Sequence, residues 1–338
     1  MEPVITGTET LTEPTVGTIP PSQGGAAVAT SKSPTRIALQ RLRDDKVAMI
    51  CFWIFVFFVL VAIFAPVLAG IEGQSPTERN FDLIDRRTTF PIIGTTAEHW
   101  FGVEPRLGRD LFARWVYGAR PSLIVAGSAT LLTTIIGVVV GLVAGYFGGW
   151  VDRVLSWLID FFLSLPYLIF AIAFPAVIIS MVYGGNEGTT PEQVAKVRFI
   201  SLITVLSILG WAGLARLIRG QVLSLREREF ISAARVLGVP TRRVLFRELL
   251  PNLIAPIVIS ASLSLPGYIV AEAGLTFLGV GLMDPTPSWG VTIASAQNYY
   301  DSYPLYLWVP VLGITILVLA LSLLGDAVRD AFDPKTRR

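Results

Sequence analysis

The sequence predicts an all-α integral membrane protein with six transmembrane helices, and three observations carry that prediction. Of its 338 residues, 53% are hydrophobic and only 15% are charged, where an ordinary soluble domain is about a quarter charged. The mean hydropathy is +0.63. Six stretches of the chain carry no charge at all, and most are long enough to cross about 30 Å of hydrocarbon, which takes about 20 apolar residues. Core helices of a large soluble protein would need a polar surface that these segments do not supply.

Taken in order, residues 1–34 are rich in Thr, Pro, Gly and Ala with few large apolar side chains, and are expected to form a disordered tail. Residues 35–46 form an amphipathic, basic lead-in. The first span covers residues 47–70, within the 25 uncharged residues between Lys46 and Glu72. It is too aromatic and too far from the N-terminus to be a cleaved signal sequence. Residues 71–120 balance seven arginines against seven acids, the composition of a folded cap. The core, 121–338, holds the remaining uncharged stretches: Arg120–Asp152 encloses 31 residues, Asp160–Glu187 26, Arg198–Arg216 17, Glu248–Glu272 23 and Asp301–Asp326 24. The fourth is short, but flanking arginines can snorkel to the interface. In the second span Gly137, Gly141 and Gly145 recur every fourth position, followed by Gly148 and Gly149, which marks a face for close helix packing. Pro166, Pro175 and Pro266 are positioned to kink the third and fifth spans.

Lys and Arg set the orientation. With the N-terminus inside, the cytoplasmic pieces hold 18 basic and 12 acidic residues, and the outside pieces hold 9 basic and 11 acidic. Both termini and the segment 216–248 are therefore expected in the cytoplasm.

Composition also excludes chemistry. One Cys (Cys51) and one His (His99) allow neither a disulfide nor a multi-His or Cys/His metal site. There is no GxSxG, HExxH, GxGxxG or P-loop, so no catalytic residue and no bound cofactor is expected. Two acids sit within or at the ends of spans: Asp160, expected one or two turns into the third, and Glu272, near the outer end of the fifth. Each either hydrogen-bonds a neighbouring helix backbone and fixes packing, or serves a gate or substrate path. The first reading is favoured, because an acid near the interface costs less than one at mid-membrane.

The most informative segment is the loop 226–250, LREREFISAARVLGVPTRRVLFRELLP with its flanks. Phe230, Ala233, Ala234 and Leu237 recur at helical spacing, Arg235 lies among them, and Gly238 stands where a helix-ending glycine belongs. Pro240 opens a second helix that sets Val244 and Leu245 against Arg242, Arg243 and Arg247, and Pro251 breaks the pattern. Such a knob suits a helix-in-groove contact with another protein. An amphipathic helix on anionic lipid is the alternative. The Ala233-Ala234 pair, which permits close docking, favours the protein partner.

SAARVLG, followed after nine residues by ELLP, resembles the EAA coupling loop of ABC importer permeases, with Ser232 in place of the name-giving Glu. HWFGVEPRLGRDLFARWVYGARPSL, GYFGGWVDR, EAGLTFLGVGLMDPTPSWG and LLGDAVRDAFDPK resemble the second-permease subunit of the dipeptide/oligopeptide family, with Val103-Glu104 departing from its usual pair. The resemblance covers about residues 36–338 and leaves out the tail and residues 72–90. It implies a non-catalytic permease subunit of a bacterial importer, in the cytoplasmic membrane, moving di- or oligopeptides or a related small solute by alternating access. The implied partners are a second homologous permease, two cytoplasmic ATPases that bind the ATP, and an extracytoplasmic substrate-binding protein. A secondary transporter would instead need ion-binding carboxylates at unwound helices near the bilayer midplane, and an integral-membrane hydrolase a nucleophile and base that are not found.

Overall fold

The computed structural model describes residues 34–184 and 190–333. The expected tail, apart from Pro34, lies outside them. The lead-in forms a helix, α1 (Pro34–Asp44), and Asp45 then caps α2 (Lys46–Ile63) by accepting from the Val47 and Ala48 N–H groups at 2.8 and 3.2 Å. The helix breaks at Phe64 and resumes as α3 (Ala65–Glu72), which passes the expected end of the first span at 70 and sets Glu72 against the segment that follows, with Pro66 in its first turn and Gly73 at φ +81° closing it. Carbonyls freed near the break, those of Ala62 and Ile63, accept from the Arg120 guanidinium at 3.1 and 3.3 Å.

The second span is α4 (Leu111–Phe147), which starts ten residues before the expected boundary at 121. Its 37 residues reach about 55 Å at 1.5 Å per residue, well beyond the hydrocarbon. Arg114 and Arg120 are thus helical yet lie in the projecting first turns, which counting uncharged residues cannot detect. The expected third span, between Asp160 and Glu187, takes in the last turn of α5 (Gly149–Ser164) and all of α6 (Tyr167–Tyr183), two helices bent by 90° where Pro166 interrupts the chain. The fourth, α7 (Pro191–Arg226), runs past both arginines that bounded the prediction. It opens with a Thr190/Gln193 capping box. The loop follows, and then α11 (Ile254–Phe277), the short α12 (Trp289–Ala296) and α13 (Pro304–Phe332). Among the described residues, five helices are long and apolar enough to cross a membrane, and the bent α5–α6 pair makes a sixth if its two halves count as one span. The described residues hold no β-sheet, only isolated bridges at Ile84–Pro91 and Val103–Asp110.

The core sits where α2, α4, α7, α11 and α13 meet, around the buried Phe58, Leu202, Ile269, Trp289 and Leu317. The Trp289 indole donates to the Trp115 carbonyl at 2.9 Å, so this polar group is satisfied inside the apolar core. The glycine stripe of α4 lies against α7. A Cβ added at Gly141 would stand 2.7 Å from the Ala215 carbonyl oxygen, and one at Gly145 2.7 Å from Val222 Cβ. Only hydrogen at these positions lets the two backbones approach so closely. The bundle has two distinct ends. One carries the cap, residues 73–110; the other carries the loop between α7 and α11.

Candidate functional site

The loop contains the expected helix, α8 (Glu229–Val236). Gly238 follows at φ +69°, the Val239 N–H donates to the Ala234 carbonyl at 3.0 Å, and the Gly238 N–H donates to the Arg235 carbonyl at 3.0 Å. This is the Schellman closure, which needs a residue at ease with positive φ. The second helix is irregular: Pro240 caps α9 (Thr241–Arg243), a π-helical segment Val244–Leu249 follows, and α10 (Leu250–Asn252) completes it.

Which face of α8 is free differs from the sequence expectation. Ile231 is fully buried against Ile218, Val222, Val244 and Leu249, and it turns Ala234, one turn on, into partial contact with the same cluster. Ala234 therefore does not centre an outward face. Ala233 does: it lies two residues, about 200° of helix, from the Ile231 anchor, and it is exposed. Phe230 (43% exposed), Val236 (87%) and Leu237 (80%) are exposed apolar side chains around it. The Arg235 guanidinium lies 5.0 Å from the centre of the Tyr146 ring on the last turn of α4, which ties α8 to the bundle.

Glu272 is fully buried on α11. Ser122 of α4 donates to its Oε2 at 2.7 Å and Thr276 to its Oε1 at 3.1 Å; Thr276 Oγ1 in turn accepts the Leu282 N–H at 3.0 Å. The acid thus stitches α4, α11 and the turn after α11 together, through side-chain hydroxyls and not through the neighbouring helix backbone expected from sequence. Asp160 sits elsewhere than expected. It belongs to α5, before the break, is largely exposed, and pairs with Arg216 of α7. Asp152 at the start of α5 takes Arg219 in a two-pronged pair at 2.5 and 2.8 Å. These two acids clamp α5 onto α7. The described residues hold no cluster of three or more His, Cys, Asp and Glu fit for a metal ion.

A sequence pattern described as the binding-protein-dependent transport system inner membrane component matches residues 137–338, and one described as the N-terminal TM domain of oligopeptide transport permease C matches residues 33–86. The chain belongs to this permease family. It is 36% identical over 310 residues to the dipeptide transport system permease protein of Alkalihalophilus pseudofirmus, covering 91% of this chain and 92% of the relative. The corresponding dipeptide permease of Bacillus subtilis is 35% identical over 311 residues, covering 91% and 88%. The oligopeptide transport system permease protein of Bacillus subtilis is 32% identical over 301 residues, covering 89% and 90%. The N-terminal match runs through residues 72–86, most of the stretch that the motif resemblance had left out.

In this permease the cap holds a polar network of which the sequence marks only Glu104, and that only as a departure from the family's usual pair. Glu104, buried, accepts from Arg109 and from the Tyr306 hydroxyl at 3.0 Å, and lies 3.6 Å from the Arg114 guanidinium. Arg109 and Arg114 also reach Asp284, at 2.8 and 3.4 Å. Burial pushes the Asp284 carboxyl up, but the two guanidiniums outweigh it and hold its pKa below the usual carboxylate value. The network joins the cap to the turn before α12 and to α13. Its partners lie as many as 202 residues apart, so no spacing in the sequence announces them. The mixed charge of residues 104–114 was the available signal. Asp110 caps α4 through the Ala113 N–H at 2.6 Å and pairs with His99 at 2.8 Å, so the one histidine is structural.

Proposed function

We propose that this chain is a peptide-translocating permease subunit of an ATP-driven importer, and that the outward face of α8 is where an ATPase partner docks. The observation that carries the reading is the exposed apolar patch of Phe230, Ala233, Val236 and Leu237, held rigid from behind by the buried Ile231 and closed by the Gly238 turn. A short helix anchored on one side and bare on the other suits a helix-in-groove contact. It passes the partner's motion to α7 and to α11, which flank the loop. Family membership and relatives named for dipeptide and oligopeptide transport support the substrate class.

In this reading the chain performs no chemistry. A second permease completes the pathway, two ATPases bind and hydrolyse ATP, and a substrate-binding protein delivers peptide on the cap side. The loop and both termini face the cytoplasm, as the Lys and Arg distribution supports. A secondary transporter is not favoured, because Asp160 is paired with Arg216 and lies within the regular helix α5, not at an unwound segment. Proteoliposomes carrying the complete complex, with a labelled dipeptide and the binding protein outside and ATP inside, are expected to accumulate the label only with hydrolysable ATP. Accumulation driven by an ion gradient without ATP would overturn the proposal.

A further inference from the structure

Two concavities at the loop end of the bundle share one side chain. The first, about 500 Å³, is lined by Pro240, Arg242, Arg243, Phe246 and Arg247. The second, about 380 Å³, runs along α4 past Ile135, Val139 and Leu142 and is closed by Leu250 of the loop and Ile257 of α11; apart from Thr134 its lining side chains are apolar. Phe246 lines both. Three exposed guanidiniums therefore stand next to an apolar furrow that follows α4, with Phe246 between them. None of the three has an acidic partner within ion-pair distance among the described residues.

We propose that this is a binding site for an anionic phospholipid, with the headgroup phosphate on Arg242, Arg243 and Arg247 and an acyl chain in the α4–α11 furrow. The argument is complementarity of both charge and depth. Guanidiniums match phosphate oxygens through two parallel hydrogen bonds, and unpaired arginines at a membrane boundary attract anionic lipid. A phosphate needs no furrow and an alkyl chain needs no arginine; a phospholipid needs both, joined end to end as Phe246 joins them here. Basic pockets beside membrane helices are a recurrent way of holding such headgroups. The loop would then divide its work: the outer face of α8 for a protein, the arginines after Pro240 for lipid. The site goes beyond the proposed transport role and does not depend on which solute is moved.

The test uses the complete complex in nanodiscs of phosphatidylcholine doped with phosphatidylglycerol, with protein-retained lipid counted by native mass spectrometry. Two variants approach the site from its two ends. Arg242→Gln/Arg243→Gln/Arg247→Gln removes the charge, and Val139→Trp fills the furrow without changing charge. Each arginine near an anionic surface is worth about a fivefold change, so the triple variant should retain phosphatidylglycerol at least about tenfold less than wild type. Val139→Trp should also lose it, with retained phosphatidylcholine unchanged in the triple variant and the ATPase recovered in full from both. Retention of phosphatidylglycerol at wild-type level in either variant overturns the proposal. So does a triple variant that loses the ATPase in step with the lipid, since the arginines then serve the protein partner. Loss of the ATPase from a variant of the α8 face, with lipid retention intact, would bear on the docking proposal alone.

Discussion

Ser122 and Glu272, 150 residues apart in the chain, are joined by a 2.7 Å hydrogen bond in which the serine hydroxyl donates to the acid. Both are fully buried, and the bond fixes α4 against α11 in the half of the bundle nearest the cap. Glu272→Gln keeps an acceptor and its shape, so assembly and uptake should persist. Glu272→Leu leaves the Ser122 hydroxyl and its neighbours without an acceptor, at a cost of about 1–3 kcal/mol. The check is the thermal midpoint and yield of the purified complex. A leucine variant as stable and active as wild type would show that the stitch is dispensable.

The α4–α7 contact makes a sharp contrast between glycines. Gly141→Val should destabilise by about 1–3 kcal/mol or more, because a Cβ there already meets the Ala215 carbonyl oxygen at 2.7 Å and Ile218 Cβ at 2.8 Å. Gly220→Ala, on the facing helix α7, meets nothing within 4 Å and should be neutral or stabilising by about 0.5–1 kcal/mol. Thermal unfolding of the two variants side by side reads the difference.

The end of α3 predicts a pH dependence. Glu72 accepts the Trp100 N–H at 2.5 Å, and its other oxygen is buried without a partner among the described residues. Burial raises its pKa from 4.5 to about 7; the Trp100 N–H opposes the rise and the nearby Asp110 adds to it. Between those two values the folded protein holds a proton that the unfolded chain has lost. Its contribution to stability is therefore full below pH 4.5, falls as pH rises to about 7, and is level beyond. Glu72→Gln should flatten that slope in a series of thermal midpoints across the window. An unchanged slope would assign the dependence to other groups.

The turn after α8 should tolerate little. Gly238→Val places a β-branched side chain at φ +69°, a conformation such residues strongly resist, although nothing stands within 4 Å of the site. The expected result is a subunit inserted at normal levels with impaired uptake, measured by membrane immunoblot and transport assay. Gly238→Asn, which tolerates the left-handed region better, should recover much of the activity.

Part of this architecture was legible because it is written in local composition. The uncharged stretches fall on the five long apolar helices and on the bent α5–α6 pair, the four-residue glycine period identified the α4 face that meets α7, and Gly238 marked the end of α8. Other features depend on distant partners. The first turns of α4 contain Arg114 and Arg120, whose charges are met by Glu104 and Asp284 in one case and by the Ala62 and Ile63 carbonyls in the other, so a count of uncharged residues starts the helix too late. Asp160 read as the start of an apolar stretch because no charge follows it for 26 residues, while its place about three turns into α5, the bend at Pro166 beyond it and the pairing with Arg216 are three-dimensional facts. In α8, periodicity grouped Ala234 with Ala233; only the packing of Ile231 decides which arc the protein keeps for itself.

The central claim is that the outer face of α8 docks an ATPase, and Ala233→Asp tests it most directly. Ala233 is exposed and lies about 200° around α8 from the buried Ile231, so the variant should fold and insert as wild type does. In a docked complex it would bury an unpaired carboxylate, which costs several kcal/mol and is enough to dissolve a small helix-in-groove contact. Pull-down of the tagged permease from membranes, with the ATPase quantified beside it, should show recovery reduced at least about tenfold and uptake abolished at equal permease levels. Full ATPase recovery with intact uptake in Ala233→Asp would contradict the account.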